Sequence, residues 1–219
     1  MRRLLQGATL FCVLMGIIAA ARSFERPSSA QESSTPRFEV DPTWPTVPPQ
    51  WTLGQVSGVA VDSRDHVWIL QRPWSLGSDE LARNSSARCC TPAPPVMEFT
   101  PDGVFVQGWG GPGDGYEWPA DEHGIHVDFN DNVWISSAGG PRLRDRVENH
   151  LLKFSQEGRL LLQIGKRGAS NGSLDTVNVN NAADMYVHAR TNEVFVADGY
   201  VNRRVVVFDA NSGRFKRMW

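Results

Sequence analysis

Three stretches of this chain repeat one pattern, in which apolar and polar residues alternate on both sides of a short polar turn. The clearest copy spans residues 123–136, and matching copies span residues 59–70 and 185–196. Alternation with a period of two predicts half-buried antiparallel strands. Asp62, Asp128 and His188 hold equivalent positions in the three copies, 66 and 60 residues apart. Self-similarity at such an interval is typical of repeat architectures, so it constrains the fold more than any single motif does.

A second hairpin follows each copy of the first, over residues 96–106, 151–161 and 204–215. Each consists of an apolar strand ending in Phe, a turn that contains Gly and a further strand. Two hairpins per repeat give four strands, which is the content of one β-propeller blade. A β-sandwich also has short strands, but it does not repeat its sequence at this interval. We therefore predict an all-β fold, a β-propeller with about three four-stranded blades.

The predicted blades span approximately residues 51–118, 119–180 and 181–219, with insertions at residues 73–95 and 141–149. Three blades are fewer than the roughly four to eight that close a ring. Trp219 aligns with Trp109, and Trp109 is followed by further residues of its blade. Either the chain is an amino-terminal fragment or two such chains pair to close one ring. We expect a fragment that needs further carboxy-terminal blades.

The amino terminus has the pattern of an export signal. Arg2 and Arg3 precede an apolar run that ends in three alanines, so residues 1–21 are predicted to be a secretory signal peptide. An uncleaved membrane anchor is the alternative, although the run is short for a span. Residues 22–50 are rich in Ser and Pro and are predicted to be a disordered linker. We expect a secreted or periplasmic protein with no stable membrane span after signal cleavage.

Charge and cysteine content narrow the possible partners. The formal net charge is −2, so the chain lacks the basic balance that nucleic-acid binding requires. No CxxC or HxxxH pair is present to hold a metal. Cys89 and Cys90 are adjacent. In an oxidising compartment they can form a vicinal disulfide or bridge to other cysteines.

His123 is the one residue of the central hairpin that the other copies lack, since Ser57 and Ala183 hold its place in them. It precedes the strand predicted to line the central channel of the propeller. A histidine there is either a metal ligand or simply a solvated or hydrogen-bonded side chain. By itself it does not define a zinc site, which needs at least three protein ligands.

Three motifs resemble those of peptidyl-α-hydroxyglycine α-amidating lyase, a six-bladed propeller of NHL repeats. They are residues 55–62 with the following Gln71-Arg72, the segment His123-Gly124-Ile125, and residues 198–205. The likeness spans roughly residues 52–219, about half of that family's propeller.

The resemblance implies roles for five residues. His123 corresponds to one of three zinc ligands, Arg72 to an arginine at the substrate region, and Tyr200 to the proposed base. The backbone carbonyls of Val59 and Ile125 correspond to ligands of a structural calcium. The other zinc ligands of the family belong to blades beyond Trp219, and its disulfide beside the tyrosine is absent because Val201 stands there.

These motifs predict an exported, metal-dependent lyase that cleaves the C–N bond of a carbinolamide, with zinc and calcium as cofactors. Its substrate would be a small molecule or a peptide. The 219-residue chain alone is expected to be inactive. One alternative is a non-catalytic NHL propeller that binds a ligand or protein through its rim. Another is an enzyme similar to the lactonase or streptogramin-lyase propellers.

Overall fold

Most strands of the protein belong to three four-stranded antiparallel sheets, each with its strands in sequence order. The structure is a computed structural model that describes residues 35–80, 90–139 and 148–219. The first sheet, blade one, contains β2 (Gln55–Val61), β3 (Val67–Arg72), β5 (Val96–Phe99) and β6 (Phe105–Trp109). Blade two contains β7 (Glu122–Val127), β8 (Val133–Ser137), β9 (His150–Phe154) and β10 (Leu160–Gly165). Blade three contains β11 (Asp184–His188), β12 (Glu193–Asp198), β13 (Arg204–Asp209) and β14 (Phe215–Met218).

The predicted fold class, an all-β propeller of four-stranded blades with about three present, is confirmed. A small parallel pair, β1 (Trp51–Thr52) with β4 (Thr91–Pro92), and a 3₁₀ turn at Pro73–Ser75 complete the described elements. The predicted signal peptide lies outside the described residues. In the described ranges, no helix has the length and apolar character needed to cross a membrane.

The segment ahead of blade one contacts that blade. Residues 42–219 form one compact unit, whereas residues 35–41 are exposed and contain no strand. Trp44 donates from its indole Nε1 to the carbonyl of Pro101 at 3.1 Å and lies beside Gly103. Gly103 has a φ of +79°, and a Cβ there would lie 2.6 Å from the Trp44 ring. The last residues of the predicted linker are therefore held against the second hairpin of blade one.

The first strands of the blades lie against one another, β2 against β7 and β7 against β11. Their approach is close because glycines stand at the contacts. A Cβ on Gly58 would lie 3.2 Å from the backbone nitrogen of Ile125, and one on Gly124 would lie 2.8 Å from the carbonyl oxygen of Ala183. This arrangement places the start of β7, with His123, beside the start of β11.

Two of the three apolar clusters lie between blades, and the third packs blade one against the segment that precedes it. One buried cluster joins blades one and two through Trp68, Ile135 and Phe154, and another joins blades two and three through Trp134, Val196 and Phe208. Blade two packs a neighbouring blade on both faces, so its middle strands β8 and β9 are buried along their whole length. An alternation of buried and exposed side chains is therefore visible mainly in the first and last strands of each blade.

An aspartate closes the first turn in blades one and two. The Asp128 carboxylate accepts from the backbone of Asn130 and Asn132 at 2.9 and 3.0 Å and from the indole Nε1 of Trp134 at 2.9 Å. Burial raises the pKa of this carboxyl, but these donors outweigh burial and lower it below its ordinary value. Asp62 makes the equivalent bond to Trp68, at 3.1 Å. In blade three the equivalent residue is His188.

We expect acid to weaken the connection between blades two and three through Asp175. Burial raises the pKa of the Asp175 carboxyl, but donors that include the backbone of Asn171, Val177 and Asn178 outweigh it and lower the pKa from 3.8 to about 2. Because the folded-state pKa lies below the unfolded one, the stabilisation is complete above pH ~4 and is lost as the pH falls through ~2. The loss is about 2 kcal/mol, from about 1.4 kcal/mol per pKa unit.

Urea unfolding of the wild type and of Asp175→Asn, repeated from pH 5 to about pH 1.5, checks this expectation. The stability difference between the two proteins should shrink over that range, because only the wild type loses a carboxylate. A difference that stays constant with pH would show that the Asp175 carboxylate does not contribute in this way.

Candidate functional site

His123 is held at the start of β7 by a contact with the next blade. Its Nδ1 lies 2.8 Å from the carbonyl oxygen of Ala183. A carbonyl oxygen only accepts hydrogen bonds, so Nδ1 carries the proton, and Nε2 of the neutral ring has a free lone pair. The Nε2 atom lies 3.0 Å from the Tyr200 hydroxyl, which therefore donates to it. A backbone carbonyl that fixes the remote ring nitrogen is a common support for a metal-binding histidine.

Tyr200 reaches His123 from the turn between β12 and β13. The two rings meet edge to face, with centroids 5.3 Å apart and an interplanar angle of 73°. The tyrosine side of the pair is open, since Tyr200 is 62% exposed. The structure thus brings together two residues that are 77 positions apart and on different blades.

The turn that presents Tyr200 is anchored by the buried carboxylate of Asp198. This carboxylate accepts from the backbone of Asn180 at 2.8 Å, the side chain of Asn202 at 2.8 Å and Nε of Arg204 at 2.7 Å. In the Asp-Gly-Tyr motif, the aspartate is therefore structural, and the tyrosine projects to the surface.

Arg72, the last residue of β3, supports the chain just before His123. Its Nε lies 2.8 Å from both the carbonyl oxygen of Glu122 and the carboxylate Oδ1 of Asp121. The guanidinium also lies 5.8 Å from the centroid of the Trp74 ring. The charge of Arg72 is thus balanced by Asp121, and in the described part of the chain no contact joins its side chain to Tyr200. The role of Arg72 as a substrate contact stays a prediction.

The two residues predicted to bind calcium lie on neighbouring first strands. Val59 pairs with Ile69 in β2–β3, and Ile125 pairs with Ile135 in β7–β8. The Gly58 backbone lies against that of Ile125, so the two positions are close in space. Calcium ligation by their carbonyls stays a prediction.

One cluster of the described residues has the composition of a metal site, namely Asp62, His66 and Glu98, whose ligand atoms lie within 4.8 Å of one another. The guanidinium of Arg64 already donates to both carboxylates at 2.8 Å. Both carboxylates are therefore already paired with a cation, so a metal ion would have to displace Arg64 to bind there. This cluster is better described as an ion-pair network of buried carboxylates with an exposed arginine, and His123 belongs to no such group among the described residues.

Glu122 is a buried acid next to His123, and the sequence analysis did not identify it. It is 3% exposed, and its two carboxylate oxygens accept from the indoles of Trp118, at 2.9 Å, and Trp74, at 3.0 Å. Burial raises the pKa of its carboxyl above the ordinary value. Trp74 lies 48 positions away on another blade, so no local motif pointed to the pair.

The predicted vicinal pairing of the cysteines falls partly outside the described residues. Cys90 is disulfide-bonded, and its partner lies outside those residues.

Comparison with known proteins agrees with the motifs. No family model matches the chain. Rat peptidylglycine alpha-amidating monooxygenase is 29% identical over 208 residues, which cover 91% of this chain and 20% of the rat protein. Peptidyl-alpha-hydroxyglycine alpha-amidating lyase 2 of Drosophila melanogaster is 28% identical, with 81% of this chain and 41% of that protein covered. The human NHL repeat-containing protein 3 is also 28% identical, with 74% and 40% covered.

The predicted resemblance is confirmed. The chain is similar over most of its length to NHL-repeat propellers and to the amidating lyase. It spans between about a fifth and two fifths of the length of these relatives. A solved gluconolactonase from Xanthomonas campestris matches 67% of this chain and 55% of that chain at 17% identity, with a TM-score of 0.28, too low to bear on fold or function.

Proposed function

We propose that this chain forms part of an exported, metal-dependent lyase that cleaves the C–N bond of a carbinolamide. The observation that carries the proposal is the hydrogen-bonded pair of His123 and Tyr200, with 3.0 Å between Nε2 and the hydroxyl oxygen. The similarity to a Drosophila protein named as an amidating lyase supports the same reaction type.

His123 is suited to hold a zinc ion through Nε2, because the Ala183 carbonyl fixes the protonated Nδ1 on the other side of the ring. Zinc would supply Lewis-acid stabilisation of the alkoxide that forms when the substrate hydroxyl is deprotonated. The Nε2 atom has one lone pair, so a ligating His123 could not also accept from Tyr200. The Tyr200 hydroxyl would then be free of His123, and after losing its own proton to solvent, which a nearby zinc ion would favour, its phenolate could accept the proton of a substrate hydroxyl.

The remaining parts of the site would come from further chain. A zinc site needs about three protein ligands, and the described residues supply His123 alone. The lyase relative is more than twice as long as its matched region, which supports additional blades that close the ring and supply ligands. In this proposal residues 1–21 direct export, the carbonyls of Val59 and Ile125 bind calcium, and Arg72 orients the substrate.

Replacing His123 and Tyr200 one at a time should separate metal binding from proton transfer. The substitutions are made in the protein as its native source produces it. There His123→Ala should abolish both stoichiometric zinc binding and the release of glyoxylate from a peptidyl-α-hydroxyglycine. Tyr200→Phe should retain zinc and lower kcat by about tenfold or more, because only the proton acceptor is lost. Zinc is measured by atomic emission and glyoxylate by a coupled assay. Tyr186→Phe is the matched control, since Tyr186 is similarly exposed, at 57%.

The alternative is a non-catalytic propeller that binds a ligand or protein through its rim. The similarity to NHL repeat-containing protein 3 supports this candidate. It predicts no glyoxylate release from the native protein, and no change in zinc content on substitution of His123. Either result in a folded protein would count against the lyase.

A further inference from the structure

A cavity of about 770 Å³ lies between blades one and two. Its walls include the indoles of Trp51, Trp74, Trp109 and Trp118, and several prolines of the flanking loops. Its size falls within the roughly 300–1,000 Å³ of typical small-molecule sites. His123 faces blade three through Ala183, whereas Glu122, which lines the cavity, faces Trp74 of blade one. The cavity is therefore separate from the His123–Tyr200 pair.

The cavity contains one acidic group whose charge is not balanced by a partner. Both hydrogen bonds to the Glu122 carboxylate come from neutral indoles, so they orient its oxygens without cancelling the charge. Arg72 is the nearby cation, and its Nε lies 2.8 Å from the carboxylate of Asp121. Within the described ranges no ion pair involves Glu122. A carboxylate in an aromatic wall favours a cationic ligand.

One of the lining tryptophans already contacts a cation from outside the cavity, since Arg72 is not a lining residue. The Arg72 guanidinium lies 5.8 Å from the centroid of Trp74, within the range of a cation–π interaction. Indole rings attract cations most strongly among the aromatic side chains, and quaternary ammonium ligands are recognised by such rings. An ammonium that bears methyl groups suits this cavity better than a primary amine does, because it needs no hydrogen-bond acceptors beyond those already in use.

We propose that this cavity binds a small organic cation with a quaternary or tertiary ammonium head, which packs against the tryptophans with Glu122 as its counter-ion. This proposal is independent of the lyase reaction, because it uses neither His123 nor Tyr200.

The test compares choline with its neutral isostere 3,3-dimethylbutan-1-ol by calorimetric titration of the full chain. Choline should bind at least about tenfold more tightly than the isostere, because only the charge differs. Glu122→Gln should weaken choline binding by about tenfold or more and affect the isostere much less, since the amide keeps the size of the side chain and loses its charge, although its NH2 group cannot accept from one of the two indoles. Trp74→Phe should weaken choline binding several-fold, through loss of the indole and of its hydrogen bond to Glu122.

The controls are Glu157→Gln, an exposed turn carboxylate, and Trp219→Phe, a tryptophan that is 65% exposed on blade three. Both should bind choline as the wild type does. Equal affinity for choline and the isostere, or no heat with choline up to about 10 mM, would overturn the proposal even without variants. An unchanged affinity in a folded Glu122→Gln protein, shown by its near-ultraviolet circular dichroism, would overturn it as well.

Discussion

Arg204→Met should lower the free energy of unfolding by about 3–5 kcal/mol, the cost of removing one partner from a buried ion pair. Arg204 is 7% exposed, and its Nε lies 2.7 Å from the carboxylate of Asp198. Its terminal nitrogens donate to the carbonyls of Ser173 at 3.1 Å and Asn178 at 2.7 Å, and to that of Asp175. The substitution therefore leaves the buried Asp198 carboxylate without its counter-charge and three carbonyls without the hydrogen bonds that Arg204 donates.

The neighbouring arginine is a matched control for this substitution. Arg203 is exposed, and the hydrogen bond described for it, to Ser173 Oγ at 3.2 Å, uses its backbone nitrogen. Arg203→Met should change stability by no more than about 0.5 kcal/mol, as is usual for a surface substitution. Urea unfolding followed by tryptophan fluorescence measures both variants. Equal stability losses for the two arginines would contradict the assignment of Arg204 as the buried ion-pair partner of Asp198.

Asp128→Ala should also lower the free energy of unfolding, by about 3 kcal/mol or more, because each buried polar group left unsatisfied costs about 1–3 kcal/mol. The substitution removes the acceptor of the buried Trp134 indole and of two backbone N–H groups in the turn. It also leaves the buried Lys153 ammonium, 3.6 Å from the Asp128 carboxylate, without its counter-charge.

The equivalent residue of blade three provides the comparison. His188 contacts the Thr191 hydroxyl at 3.0 Å, and Phe195 stands where Trp134 does in blade two, so no indole depends on it. His188→Ala should cost less than about 1 kcal/mol, measured by the same urea unfolding. If Asp128→Ala lowered the free energy of unfolding as little as His188→Ala, Asp128 would not be the residue that stabilises the turn.

The strands and turns were predictable because their causes are local. Period-two alternation, the polar turns and the glycine-containing second hairpins all act within about a dozen residues of sequence. His123 and Tyr200 were found through motifs, but their contact depends on the angle between blades two and three. No pattern in either motif encodes that angle, so the hydrogen bond between them had to be seen in the structure.

The interblade groups could not be predicted for the same reason. The indole of Trp74 donates to Glu122, and Arg72 pairs with Asp121, across separations of about 50 residues. The parallel pairing of Trp51 with Thr91 joins two segments that sequence reasoning assigned to the edge of a linker and to an insertion. The first two contacts arise only once neighbouring blades pack together, and the β1–β4 pairing arises only once the insertion folds back beside the start of blade one.

The glycine beside His123 has a consequence for the spacing of blades two and three. With 2.8 Å between a Cβ at Gly124 and the Ala183 oxygen, a single added methyl group would push the inner edge of blade three outward. Wedging these two strands apart would also lengthen the contact between the Ala183 carbonyl and Nδ1 of His123. The absence of a side chain at Gly124 thus helps to hold the first strands of blades two and three at the distance that the hydrogen bond of His123 requires.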